Sequence, residues 1–93
     1  MPDPIQVRWT ELAAQDLEQI SEYIRRDRPD AATAVARALF EAADSLSFMP
    51  GRGRVGRIPG TRELIVSGLP YIVVYRLTST MIQILRIYHG IGS

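Results

Sequence analysis

Glu63-Leu64-Ile65-Val66, Tyr71-Ile72-Val73-Val74-Tyr75-Arg76-Leu77 and Met81-Ile82-Gln83-Ile84-Leu85-Arg86-Ile87-Tyr88-His89 follow one another between Arg62 and His89. All three runs are rich in β-branched and aromatic residues, the composition of strands. Ser67-Gly68-Leu69-Pro70 and Thr78-Ser79-Thr80 separate them with turn formers. Connections this short join antiparallel neighbours, because a parallel return needs a crossover of roughly a dozen residues. The stretch predicts a three-stranded meander. Residues of equal parity share a face, so Ile72, Val74 and Arg76 oppose Tyr71, Val73, Tyr75 and Leu77. On the last strand Ile82, Ile84, Arg86 and Tyr88 oppose Gln83, Leu85, Ile87 and His89. Both faces are largely apolar, which makes these strands central.

Just upstream, residues 51–62 hold four Gly, four Arg and one Pro in twelve positions. That composition forms neither a regular helix nor a central strand. The expectation is an exposed basic loop whose flexible glycines leave Arg52, Arg54 and Arg57 free to adapt to a phosphate or carboxylate. The alternative is a connector with its arginines in water. No Gly-Lys-Ser/Thr is present and no helix follows the glycines, so a phosphate-binding loop is excluded.

Further upstream, the apolar period changes from two to between three and four. Ala13, Leu17, Ile20 and Ile24 make one stripe of a helix running to about Arg26, with Thr10 as N-cap and Glu11 in the first turn. Asp27-Arg28-Pro29-Asp30 breaks it. A second helix, expected from Ala31 to about Leu46 with Asp30 as cap, buries Ala32, Val35, Leu39, Ala42 or Ala43, and Leu46. The two helices form an αα-hairpin whose apolar face needs a sheet to cover. Ile5-Gln6-Val7-Arg8-Trp9 alternates as a short strand with Ile5, Val7 and Trp9 inward. The predicted order is β-α-α-β-β-β, an α+β fold in one domain, residues 1–93.

The 93 residues contain no cysteine and one histidine, which excludes disulfides and thiolate metal sites and leaves no metal constellation. No cofactor is expected. No run of about 18 apolar residues and no leader pattern occurs, so a cytoplasmic protein without a membrane role is expected. The net charge of +1 hides an asymmetry. Residues 1–50 carry five Arg against nine acids, whereas residues 51–93 carry six Arg against Glu63 alone, giving −4 and +5. A basic half of this kind suits an acidic partner, nucleic acid or protein. All eleven basic residues are Arg, which suits forked recognition of phosphate and carboxylate and equally suits a GC-rich genome.

Arg76 and Arg86 stand out, because an arginine within a central apolar strand is costly to bury unpaired. Either they line an anion-binding face together, or each reaches past the sheet edge to an acid on a helix. His89, the one side chain that titrates near neutrality unaided, is a candidate acid or base, or a hydrogen-bonded structural residue. Tyr71, Tyr75 and Tyr88 read as core or interface aromatics. No nucleophile-base-orienter triad or carboxylate pair can be assembled.

Several segments together resemble the RelE/ParE superfamily of type II toxin–antitoxin toxins, also called plasmid stabilisation proteins. They are Trp9-Thr10, Asp16-Leu17, Tyr23-Ile24, Pro29-Asp30-Ala31-Ala32, Arg57-Ile58-Pro59-Gly60-Thr61-Arg62-Glu63-Leu64, Pro70-Tyr71-Ile72-Val73-Val74-Tyr75-Arg76 and Ile84-Leu85-Arg86-Ile87-Tyr88-His89-Gly90. The resemblance covers nearly the whole chain. It implies a helical hairpin on a mostly antiparallel sheet, and a cognate ParD-like antitoxin whose acidic C-terminal segment masks the active surface. It also implies one of two activities. In the RelE-like branch, which cleaves mRNA on the ribosome, an Arg after the strand's leading Tyr contacts the scissile phosphate and an aromatic often closes the chain. Here that position is Ile72, and Gly90-Ile91-Gly92-Ser93 supplies no aromatic. The resemblance therefore favours a ParE-like inhibitor of DNA gyrase, a binding protein rather than an enzyme, with Arg57, Arg62, Arg76, Arg86 and His89 as its target-binding surface. The alternative is an mRNA endonuclease using Arg76, Arg86 and His89. A third reading is a toxin without activity, retained for antitoxin binding.

Overall fold

A computed structural model describes residues 3–90. Two helices pack on a five-stranded mixed sheet, as the α+β reading expects. The elements are β1 (Gln6–Trp9), α1 (Glu11–Arg25), α2 (Pro29–Asp44), β2 (Arg54–Val55), β3 (Arg62–Ile65), β4 (Tyr71–Leu77) and β5 (Met81–His89), with one 3₁₀ turn, Ser45–Ser47, closing α2. The sheet order is β1-β5-β4-β3-β2. β3, β4 and β5 form the expected meander, and β1 joins β5 in parallel. The helical hairpin and the three strands after it make up the long connection that a parallel pair demands.

Three local expectations are corrected. The first concerns the element order, which gains β2. Its two residues pair antiparallel with Glu63 and Arg62 inside the stretch read as irregular. Glycine-rich sequence excludes a central strand but not a two-residue edge. The second is the cap of α2. Its N-cap is Arg28, without a side-chain bond, and Pro29 sits in the first turn. There the absent N–H costs nothing, so Asp30 lies inside the helix. The third is parity on β5. Val74 pairs with Arg86 but Tyr75 with Ile84, so Leu85 is bulged out. One extra residue inverts the alternation, placing Ile82, Ile84 and Ile87 on one face while Arg86 turns to the other.

The inner face of the sheet and the hairpin share one core, in which Leu39, Leu46, Val73, Tyr75, Ile82 and Ile84 are fully buried. Ala13, Ala32 and Ala43 are fully buried too, and their small size lets the helix backbones approach. Ile5, Val7, Trp9, Leu17 and Ile20 pack against this core as their spacing predicts. Thr10 does two jobs at the junction. Its Oγ1 accepts from Ala13 N at 3.2 Å and caps α1, and it donates to Ile84 O at 2.8 Å on β5. Among the described residues, no buried side-chain polar atom lacks a partner.

Candidate functional site

Ile72 and Val74 alternate with Tyr71, Val73 and Tyr75, so they face away from the helices. Both are nonetheless only 5% exposed. They floor a depression of about 390 Å³ on the open side of the sheet. Arg57, Ile58 and Thr61 wall it from the loop before β3, Glu63 from β3, and Tyr88, His89 and Gly90 from the end of β5.

That loop is built rather than loose, which corrects the expectation of flexible glycines. The Tyr75 hydroxyl, rising from the core, donates to Pro50 O at 2.7 Å and accepts from Gly53 N at 2.9 Å. A Cβ on Gly53 would stand 2.8 Å from that hydroxyl, so glycine serves here for close approach. Ile58-Pro59-Gly60-Thr61 then turns back, with Thr61 N donating to Ile58 O at 3.1 Å and Gly60 at φ +82°. Proline followed by a residue of positive φ is the signature of a type II turn. The turn carries Arg57 and Ile58 over the depression.

The loop arginines are mostly engaged. Arg54 places Nε at 3.3 Å and Nη2 at 2.9 Å from Glu63 Oε1, while the Arg57 backbone N–H donates to Oε2 at 3.2 Å. The Arg57 N–H and the Arg54 fork hold the Glu63 carboxyl below its ordinary pKa, against the opposing pull of burial. Arg62 is spent on backbone, donating to Gly53 O at 2.7 Å and Gly51 O at 3.4 Å. Arg52 donates to Ser45 Oγ at 3.1 Å. The Arg57 side chain is left largely in water, 75% exposed, with Nε 4.0 Å from Glu63 Oε2.

On the strands, the two singled-out arginines part company. Arg86 reaches to α1 and grips Asp16, Nε to Oδ2 at 2.8 Å and Nη2 to Oδ1 at 3.1 Å, and this bond raises its pKa further. Arg76 is exposed and forms no ion pair among the described residues. His89 is exposed and packs edge-on to Tyr71 at 5.4 Å between centroids. Burial, with Tyr23 close by, raises the Tyr71 pKa.

Of the predicted surface, Arg57 and His89 line the depression, although the His89 ring packs against Tyr71 on the helix side, and Arg62, Arg76 and Arg86 lie outside the lining. His89 lies opposite Tyr71 and Arg76 opposite Gln83. The five steps from Tyr71 to Arg76 along β4 amount to roughly 16 Å at ~3.3 Å each, and an odd number of steps puts Arg76 and His89 on opposite faces of the sheet. Sequence reasoning missed Glu63 as the organiser and Tyr75 as the anchor of the loop. A signal existed for the first, since Glu63 is the one acid among six arginines in residues 51–93. The expectation that Ile91–Ser93 supply no closing aromatic lies outside the described residues.

Comparison with known proteins gives a consistent picture. Residues 7–91 match the family described as the ParE toxin of the type II toxin–antitoxin system parDE. A protein of Sinorhizobium fredii that bears the toxin name Y4kP is 43% identical over 84 residues, 90% of this chain and 86% of that one. The toxin RelE2 of Caulobacter vibrioides is 42% identical over 85 residues, 91% of this chain and 94% of that one. Among solved structures, a chain of the chromosomal ParDE system of P. aeruginosa superposes with a TM-score of 0.84 at 30% identity, over 91% of this chain and 95% of that one. A chain of the RelBE2 toxin–antitoxin complex of Mycobacterium tuberculosis gives 0.61 at 28% identity, over 92% and 98%.

Proposed function

The chain belongs to the ParE toxin family and is the toxin of a type II toxin–antitoxin pair, and from that premise we propose that it arrests growth by binding DNA gyrase. The open face of the sheet is the binding surface in this reading. The observation that carries it is the floor of the depression. Ribonuclease chemistry needs a donor where charge develops at phosphorus, and Ile72 and Val74 offer none. An apolar floor with a basic rim suits a protein surface instead. The higher TM-score to the ParDE chain, 0.84 against 0.61, supports the same branch.

The partner that restrains the toxin is a cognate antitoxin, in keeping with the toxin–antitoxin systems whose chains share its fold. Its binding segment is acidic, complementing the half of the chain that carries +5. The chain acts as one domain in the cytoplasm, with Arg57 and His89 in contact with the target and Arg62, Arg76 and Arg86 around them. A second reading has one observation in its favour. Two relatives from Caulobacter vibrioides carry the name RelE, and under that reading the chain is a ribosome-dependent mRNA endonuclease.

Purified toxin titrated into a gyrase supercoiling and cleavage-complex assay separates the two. Inhibition with trapped, cleaved DNA, reversed by antitoxin, is the expected result. No effect on gyrase together with cleavage of ribosome-bound mRNA establishes the second reading. Growth arrest on induction without antitoxin excludes a toxin retained only for binding.

A further inference from the structure

Past Ile84, the outer edge of β5 has no strand beside it among the described residues. β1 pairs with β5 only from Met81 to Ile84, and the bulge at Leu85 follows at once. The next outward donor, Ile87 N–H, bonds to Asp16 Oδ2 at 2.9 Å. The same carboxylate holds the Arg86 fork at 2.8 and 3.1 Å. A helix side chain thus does for residues 86–87 what a strand does for residues 81–84. Arg86 in turn lies over the Tyr88 ring, its guanidinium carbon 5.7 Å from the centroid, and Tyr88 is a wall of the depression.

We propose that Asp16 is a positioning residue for the open-face site: through Arg86 and the Ile87 N–H it fixes where Tyr88 stands, and so fixes the wall against which a partner docks. The proposal rests on the reading of that face as the binding surface. Its physical basis is the rigidity of the contact. Two parallel bonds fix the plane of a guanidinium, and a fixed plane fixes the ring it covers. The Asp16 carboxylate is sheltered, 12% exposed, while Arg86 is 41% exposed. Without Asp16 the guanidinium turns to water or to the first acid that arrives, and Tyr88 loses its cover.

The test uses Asp16→Asn, Arg86→Gln and the double variant in the full chain. It reads the Tyr88 ring resonances by NMR, gyrase inhibition, affinity for the antitoxin, and Tm. Asparagine retains an acceptor for Ile87 N–H, so the fold persists. Both single variants are expected to move the Tyr88 resonances alike and to weaken inhibition about tenfold, with the double variant no worse, as a shared pair requires. Leu46→Val, which lowers Tm in the core away from Tyr88, serves as the control. Unmoved Tyr88 resonances overturn the proposal, and so does a loss of inhibition that Leu46→Val reproduces at equal Tm. If the wild type leaves gyrase untouched, the functional reading fails by itself. The Tyr88 resonances and antitoxin affinity then decide the role of Asp16, a matched loss in both single variants supporting it and unchanged values overturning it.

Discussion

Glu63 and Asp16 accept the same donors and accomplish different things. Each takes the side-on fork of one arginine and one backbone N–H, Arg54 with Arg57 N for Glu63, Arg86 with Ile87 N for Asp16. Shelter does not distinguish them, since the carboxylates are 9% and 12% exposed and their arginines 46% and 41%. Sequence distance does. Glu63 gathers donors six to nine residues away, whereas Asp16 reaches across 70. The near clasp gives shape to a segment that has no other reason to hold one. The far clasp aligns two layers that a shared core already holds together. Equal chemistry therefore has unequal consequences, because what each carboxylate prevents is different.

The largest effect is expected at Glu63. Glu63→Ala strands the Arg54 fork and the Arg57 N–H in a partly closed site, at a cost of about 2–3 kcal/mol. Urea unfolding measures that loss, and faster amide exchange across residues 54–61 should accompany it. A greater loss from Asp16→Ala would break the comparison. Acid sharpens it. The folded-state pKa of Glu63 lies below its ordinary 4.5, so its stabilisation is complete above that value and fades as pH falls through the lowered one. The unfolding free energy measured at falling pH should drop more in the wild type than in Glu63→Gln. Next in size is Tyr75→Phe, which leaves Gly53 N–H and Pro50 C=O unpaired at about 1–2 kcal/mol. Because both anchors hold one loop, Glu63→Ala and Tyr75→Phe together should cost less than their sum. Asp16→Asn is expected to lower Tm by less than either, while shifting the Tyr88 ring signals. Smallest is Arg25→Ala. Its pair with Glu22 is exposed on both sides, and such a pair is worth within about 0.5 kcal/mol by double-mutant cycle.

The same division explains what could be read before the structure. β4 and β5 run as predicted, Tyr71–Leu77 and Met81–His89, because alternating β-branched residues between turn formers carry their own signal. Thr10 as N-cap and the Ala13-Leu17-Ile20 stripe were legible for the same local reason. The bulge at Leu85 was not, since both faces of β5 are apolar and an inverted alternation leaves no trace in composition. The loop misled because glycine was read as freedom. Gly53 is instead where a buried phenol comes too close for any side chain. Arg86 was singled out by the cost of burying its charge, with an acid on a helix among its expected partners. Asp16 stood out only within the Asp16-Leu17 segment of the family resemblance; by composition it is one of several polar residues on an amphipathic helix.

The parallel pairing of β1 with β5 has a consequence in time. Among the described residues, the first strand finds its sheet partner only in the last, with Gln6 opposite Met81 and Trp9 opposite Ile84. A contact of such long sequence separation forms late and slowly, because loop closure must precede it. On the ribosome, α1 and α2 emerge and pair while the strand that will complete their layer is still unmade. The open face, which Tyr88 of β5 helps to wall, is complete only once β5 has been made and docked. The candidate site is therefore among the last parts of the fold to take shape.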